Sequence, residues 1–118
     1  MSIGDFQRER ALSQECAMTC EQIMGEKVGL VEGVRRLVLL SYQLGAADDT
    51  LYLQLRGIDS ESLQFPLGEA RESWDQDALA VLDEERQSFE SLHRDLVYEI
   101  CRRIAERVRT VYYYRYDG

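Results

Sequence analysis

One proline, one tryptophan and one histidine occur in 118 residues. With Pro66 alone and eight glycines, little in the chain breaks helices or builds a flexible linker. One domain with one core, over residues 1–118, is the expected organisation. Long apolar runs are missing too: the longest, residues 34–44, is interrupted by Arg35 and Arg36. A membrane span needs ~20 apolar residues, so no membrane association is expected. The first ten residues are polar and mixed in charge, unlike a signal peptide, and the expected location is cytoplasmic. Cysteine is sparse and odd in number. Cys16, Cys20 and Cys101 do not read as a disulfide framework but as reduced, small apolar residues.

Basic residues are outnumbered, 14 against 22, and the net charge of −8 argues against nucleic acid, whose phosphates it would repel. No glycine-rich phosphate loop, nucleophile elbow or H-E-x-x-H element is present, so neither an enzyme nor a cofactor is expected. Cys16 and Cys20 share a helical face that Cys101 could approach, but this spacing with a single histidine makes a poor metal set, and no metal is expected. His93 falls among Phe89, Leu96 and Val97 and reads as a satisfied core or boundary residue. Glu32 lies within a helix turn of Arg35 and Arg36 and is expected to pair with them.

What is present in quantity is helical periodicity, within a composition of 45% hydrophobic and 31% charged residues. Leu12, Cys16, Cys20, Ile23 and Met24 predict a first helix over 5–26, capped by Asp5. Residues 30–44 are apolar over more than half a helical circumference, which predicts a central helix ended by Gly45. Residues 48–57 carry two signals. Asp48, Asp49 and Thr50 suit the start of a short helix ending at Gly57, whereas Leu51, Leu53 and Leu55 alternate with polar residues like a strand. The short helix is the preferred reading, and a hairpin within 51–65 the alternative. Residues 57–68 are expected to be mostly irregular and exposed. A final helix over about 75–109 follows from Leu79, Leu82, Phe89, Leu92, Leu96, Ile100, Ile104 and Val108. The fold expected is therefore all-α, a small bundle of three to four helices with a long C-terminal one. Thirty-five helical residues reach about 52 Å, against a radius of gyration of about 13.5 Å for a compact chain of this size. The last helix must project, kink or be covered. The apolar residues Ile100, Ile104, Val108 and Val111 at its far end suggest a homodimer or partner there.

Charge is unevenly placed. Residues 59–90 hold ten acidic and two basic residues, the whole of the net charge, while residues 91–118 hold four acidic residues and six arginines. Such a region can steer and bind a cationic protein, or it can simply be a solvated face. Residues 110–118 form a tyrosine-rich tail, and tyrosine is enriched at binding hot spots.

The run Gly29-Leu30-Val31-Glu32-Gly33-Val34-Arg35-Arg36-Leu37, then Gly57-Ile58-Asp59-Ser60-Glu61-Ser62, then Leu67-Gly68 with Arg71 and Trp74, resembles a group of short uncharacterised bacterial helical proteins. That group has a GLIEG-R-L helix, an IDSE loop, an LP-G--R--W run and a long C-terminal helix. The likeness covers residues 16–107 and implies no activity. Phe65-Pro66-Leu67-Gly68 departs mildly from its spelling. In small size and acidic helical character the group is similar to immunity proteins, a likeness of type rather than of motif. The leading expectation is thus a protein-binding module, an immunity protein that neutralises a basic toxin domain through an acidic face. Asp59, Glu61, Glu69, Arg71, Glu72, Trp74, Asp77, Glu84, Glu85 and Tyr113 are the candidate partner-binding residues. The alternative is a homodimeric structural or regulatory protein. If the loop is no site, Arg71 pairs with Glu72 or Asp75, and Trp74 plugs the bundle.

Overall fold

Short polar side chains and glycines set the helix ends. A computed structural model of the chain describes residues 2–114, with side chains through residue 112. α1 (Ile3–Met24) is capped by Ser2, whose Oγ accepts the Asp5 amide at 3.1 Å. Asp5, the expected cap, instead lies in the first turn, where its carboxylate meets the positive end of the helix dipole. α1 stops at Met24 rather than at residue 26, because Glu26 takes a left-handed φ of 58°. α2 (Leu30–Leu44) has the predicted bounds. Gly45 ends it at φ 70°, and the Ala46 amide donates back to the Ser41 carbonyl at 2.8 Å.

The region read two ways is helical. α3 (Thr50–Glu61) starts at Asp49, whose Oδ1 accepts the Leu51 amide at 3.0 Å. Leu51, Leu55 and Ile58, spaced i, i+4 and i+7, are buried, whereas Leu53 is exposed. The helical stripe thus overrides the two-residue alternation, and no strand occurs among the described residues. Gly57 sits inside this helix instead of ending it. The stretch after it is not a wholly exposed loop either: Ser62, Phe65 and Pro66 are buried. A 3-10 turn (Gly68–Ser73) then leads into α4 (Gln76–Val108), capped by Asp75 at the Ala78 amide, 3.2 Å away. A π-helical turn (Arg109–Tyr114) continues it.

Contacts along the chain fix an up-down-up-down bundle. α1 runs against α4, with Phe6 beside Tyr112 at one end and the free thiols of Cys20 and Cys101 hydrogen-bonded further along. α3 also runs against α4: Asp49 meets Arg107 at 2.7 Å and Glu61 meets His93 at 3.7 Å. The core joins Cys16, Cys20 and Ile23 of α1 to Leu30, Val34, Leu37 and Val38 of α2, with Leu51 and Leu55 of α3 and Val97, Ile100, Cys101 and Ile104 of α4. Each fully buried aliphatic side chain contributes roughly 1.5–3 kcal/mol. Gly33 lets α1 and α2 approach closely, since a Cβ built there would lie 2.3 Å from Ile23 Cγ1.

The molecule measures 53 × 26 × 24 Å with a radius of gyration of 15.9 Å. Its long axis is α4, whose 33 residues span about 50 Å. The projecting end is opposite to the one expected. Ile100, Ile104 and Val108 are buried within the chain, so the apolar end does not stand bare. No residue of α4 before Val97 is fully buried. The first half of α4 instead runs on past the bundle as an arm, with residues 65–74 folded back along it.

Candidate protein-binding surface

The arm has a small interior of its own. The Phe65 and Phe89 rings sit 5.6 Å apart, and Phe89 lies 4.3 Å from the His93 ring. His93 is therefore the boundary residue its neighbours predicted, its side chain 19% exposed. Across this apolar strip Arg71 reaches Asp83 with two nitrogen–oxygen contacts, both 2.8 Å. Arg86 approaches the same carboxylate at 3.6 Å. The Arg71 guanidinium holds the Asp83 carboxyl below its usual range. Neither Glu72 nor Asp75, the neighbours expected to pair with Arg71, forms this bridge; a residue twelve positions on does, because the chain folds back. Arg86 Nε is buried without an acceptor.

Structural duties absorb part of the acidic set. Asp59 accepts from Arg35 Nε at 2.9 Å, and the same guanidinium reaches the Ser62 carbonyl at 3.4 Å. Arg35 thus pairs with α3 rather than with Glu32, and Arg36 donates to Gln22 at 3.4 Å. Glu90 Oε2 accepts the Val31 amide at 3.2 Å and so caps α2, whose own cap, Gly29, has no side chain. Asp75 caps α4 and Glu61 faces His93. Asp59 and Glu61 sit where the arm leaves the bundle.

Glu69, Glu72, Asp77, Glu84 and Glu85 are exposed and make no ion pair among the described residues. Residues 68–90 carry eight carboxylates against two arginines, so the arm is strongly negative. Trp74 is 44% exposed at the turn into α4, and is not a plug in the bundle. Helical spacing places Asp77, Val81, Glu84, Glu85, Leu92 and Leu96 along the outward face of α4. Val81, Leu92 and Leu96 are exposed, Leu92 at 79%. The periodicity that predicts α4 runs through Leu92 and Leu96, yet both are exposed, while Val97, one position after Leu96, is buried. The apolar members of this face were therefore missed, although they lie among the carboxylates. The side chain of Tyr113 lies outside the described residues.

Cys16, Cys20 and Cys101 are free and fully buried. The hydrogen bond to Cys101, together with burial, pushes the Cys20 thiol up, and burial pushes up Cys16 and its partner Tyr52. Burial favours the protonated form of the Cys16 and Cys20 thiols. Among the described residues no group of three histidine, cysteine or carboxylate side chains could hold a metal ion, and no helix is long and apolar enough to cross a membrane. The chain matches no protein-family model, no curated protein and no solved structure.

Proposed function

We propose that this protein is a protein-binding module of the immunity type, whose arm docks on and neutralises a basic toxin domain. The observation that carries the reading is the set Glu69, Glu72, Asp77, Glu84 and Glu85: exposed, unneutralised, and on a projection that adds little to the bundle core. Five free carboxylates repel one another, which disfavours the arm in isolation. A cationic surface would relieve that repulsion and would be steered toward the arm. Trp74 and Val81 lie among the charges and supply apolar anchors, which long-range electrostatics alone cannot provide.

The test is a paired pull-down from the source cell, with the wild-type chain and the Glu84→Lys/Glu85→Lys variant as baits, followed by titration of the captured protein. A basic protein held by the wild type and lost by the variant is the expected result. Its affinity should fall steeply with salt, and its binding should shift the emission of Trp74, the only tryptophan. Equal capture by both baits, or salt-independent binding, overturns the acidic-arm mechanism.

The alternative of a homodimer through the far end of the last helix loses its stated reason, since Ile100 and Ile104 are covered by the chain itself.

A further inference from the structure

A second exposed apolar surface lies away from the arm. α2 and α3 pack side by side, and their outer faces leave Leu39 (60% exposed), Tyr42 (55%), Leu53 (51%) and Leu63 (67%) in solvent around one groove of about 580 Å³. Four large apolar side chains converging on one groove exceed the scattered singles normal for a monomer surface. The core accounts for none of them.

The shape of this face is informative. Leu39 and Tyr42, at i and i+3 on α2, form a ridge. Gly57 and Ser60, on the facing side of α3, form a notch: a Cβ built on Gly57 meets nothing within 4 Å. One face therefore holds both a ridge and a gap that a ridge can enter. An interface related by a twofold axis needs this, because each copy must offer both halves.

Charge decides the occupant. The protein carries −8 overall, yet α2 and α3 together hold three acidic residues (Glu32, Asp59 and Glu61) and three basic ones (Arg35, Arg36 and Arg56). Arg56 lies over the Tyr42 ring, 5.5 Å from its centroid, and reaches Asp48 at only 3.5 Å, with that carboxylate fully in solvent. Asp59, on the groove wall, is already neutralised by Arg35. Two copies meeting through the acidic arm would repel each other, whereas two meeting here face a balanced surface. At the α2–α3 face a second copy of this acidic chain thus meets less repulsion than at the arm. We infer that the Leu39–Tyr42–Leu53–Leu63 face is a twofold homodimer interface, separate from the arm and independent of what the arm binds.

Sedimentation velocity and light scattering of the full chain, from low to high micromolar concentration, test this. The wild type should show a dimer of twice the 13.7 kDa chain mass. Leu39→Glu and Leu53→Glu should each give a monomer with an unchanged circular dichroism spectrum, since both side chains already stand in water. Leu92→Glu/Leu96→Glu, on the outward face of α4, should leave the dimer intact. A wild type that is monomeric throughout overturns the inference and leaves the groove to a different protein. A dimer that survives Leu39→Glu and Leu53→Glu but dissociates with Leu92→Glu/Leu96→Glu overturns it in favour of α4. Charge reversal at Glu84 and Glu85 should leave the dimer unchanged, so the result is separable from the arm's binding function.

Discussion

Gly33→Ala offers a sharp test of how α1 and α2 pack. An added Cβ would sit 2.3 Å from Ile23 Cγ1, 2.6 Å from Cδ1 and 3.2 Å from Val28 Cγ2. Ile23 is 1% exposed and packed in the core. Overpacking of a filled core costs about 1–3 kcal/mol, and contacts this short belong at the upper end. Alanine is the better helix former by about 1 kcal/mol, which offsets part of the loss. The net expectation is destabilisation of about 2 kcal/mol, which at roughly 3–5 °C per kcal/mol lowers Tm by about 6–10 °C for a chain of this length. Ile23→Ala alone should cost about 3–4 kcal/mol, from lost burial plus a cavity. In the double variant the alanine methyl enters the space the isoleucine vacates. The two effects should therefore fall short of additive by about 2 kcal/mol. Urea unfolding followed by far-ultraviolet circular dichroism is the suitable readout, because the only tryptophan sits on the arm and reports poorly on the bundle. A Gly33→Ala variant as stable as the wild type, or a strictly additive pair, would refute close α1–α2 approach at this point. At Gly57, where an added methyl meets nothing, the same replacement isolates the propensity gain and should stabilise by about 1 kcal/mol. It is best measured in the Leu39→Glu background, so that association does not contribute.

Three further outcomes are expected. Glu90→Ala should destabilise by about 1 kcal/mol in chemical denaturation, because it removes the carboxylate that caps the α2 start from across the bundle, and an unchanged midpoint would count against that cap. All three thiols should resist a thiol reagent in the native state and react together on unfolding; a fast-reacting cysteine at neutral pH would contradict the burial of Cys16, Cys20 and Cys101. Asp83 has a folded-state pKa below its ordinary value of 3.8, so its contribution to stability is present above that value and is lost as pH falls through the folded one. Asp83→Asn should therefore flatten the acid side of the stability curve below about pH 4, read from thermal midpoints, while a curve of unchanged shape would show that the Arg71 bridge does not form in solution.

Helix positions were readable because helices are local: period, caps and glycine stops act within four residues of chain. The bounds of α2 and the αL stop at Gly45 came from such signals. The α3 ambiguity arose because Leu51, Leu53 and Leu55 satisfy a two-residue period, while the decisive partner, Ile58, lies a full turn further on. Packing of α3 into the core it shares with α2 and α4 selects the stripe that buries most. The phase of α4 failed for the same reason. Leu92 and Leu96 keep the same four-residue step as the buried Ile100, Ile104 and Val108, and only packing against the rest of the bundle determines which members of that row are covered.

Composition and short-range period suffice for the helical class, the long last helix and the concentration of negative charge in residues 59–90. The tertiary structure alone decided which end of that helix projects, which carboxylates are neutralised, and that the outer faces of α2 and α3 stay open. Those outcomes depend on pairs far apart in the chain, such as Arg35 with Asp59, Glu90 with Val31 and Ile23 with Gly33. Such pairs become neighbours only after chain entropy has been overcome by burial of one shared core.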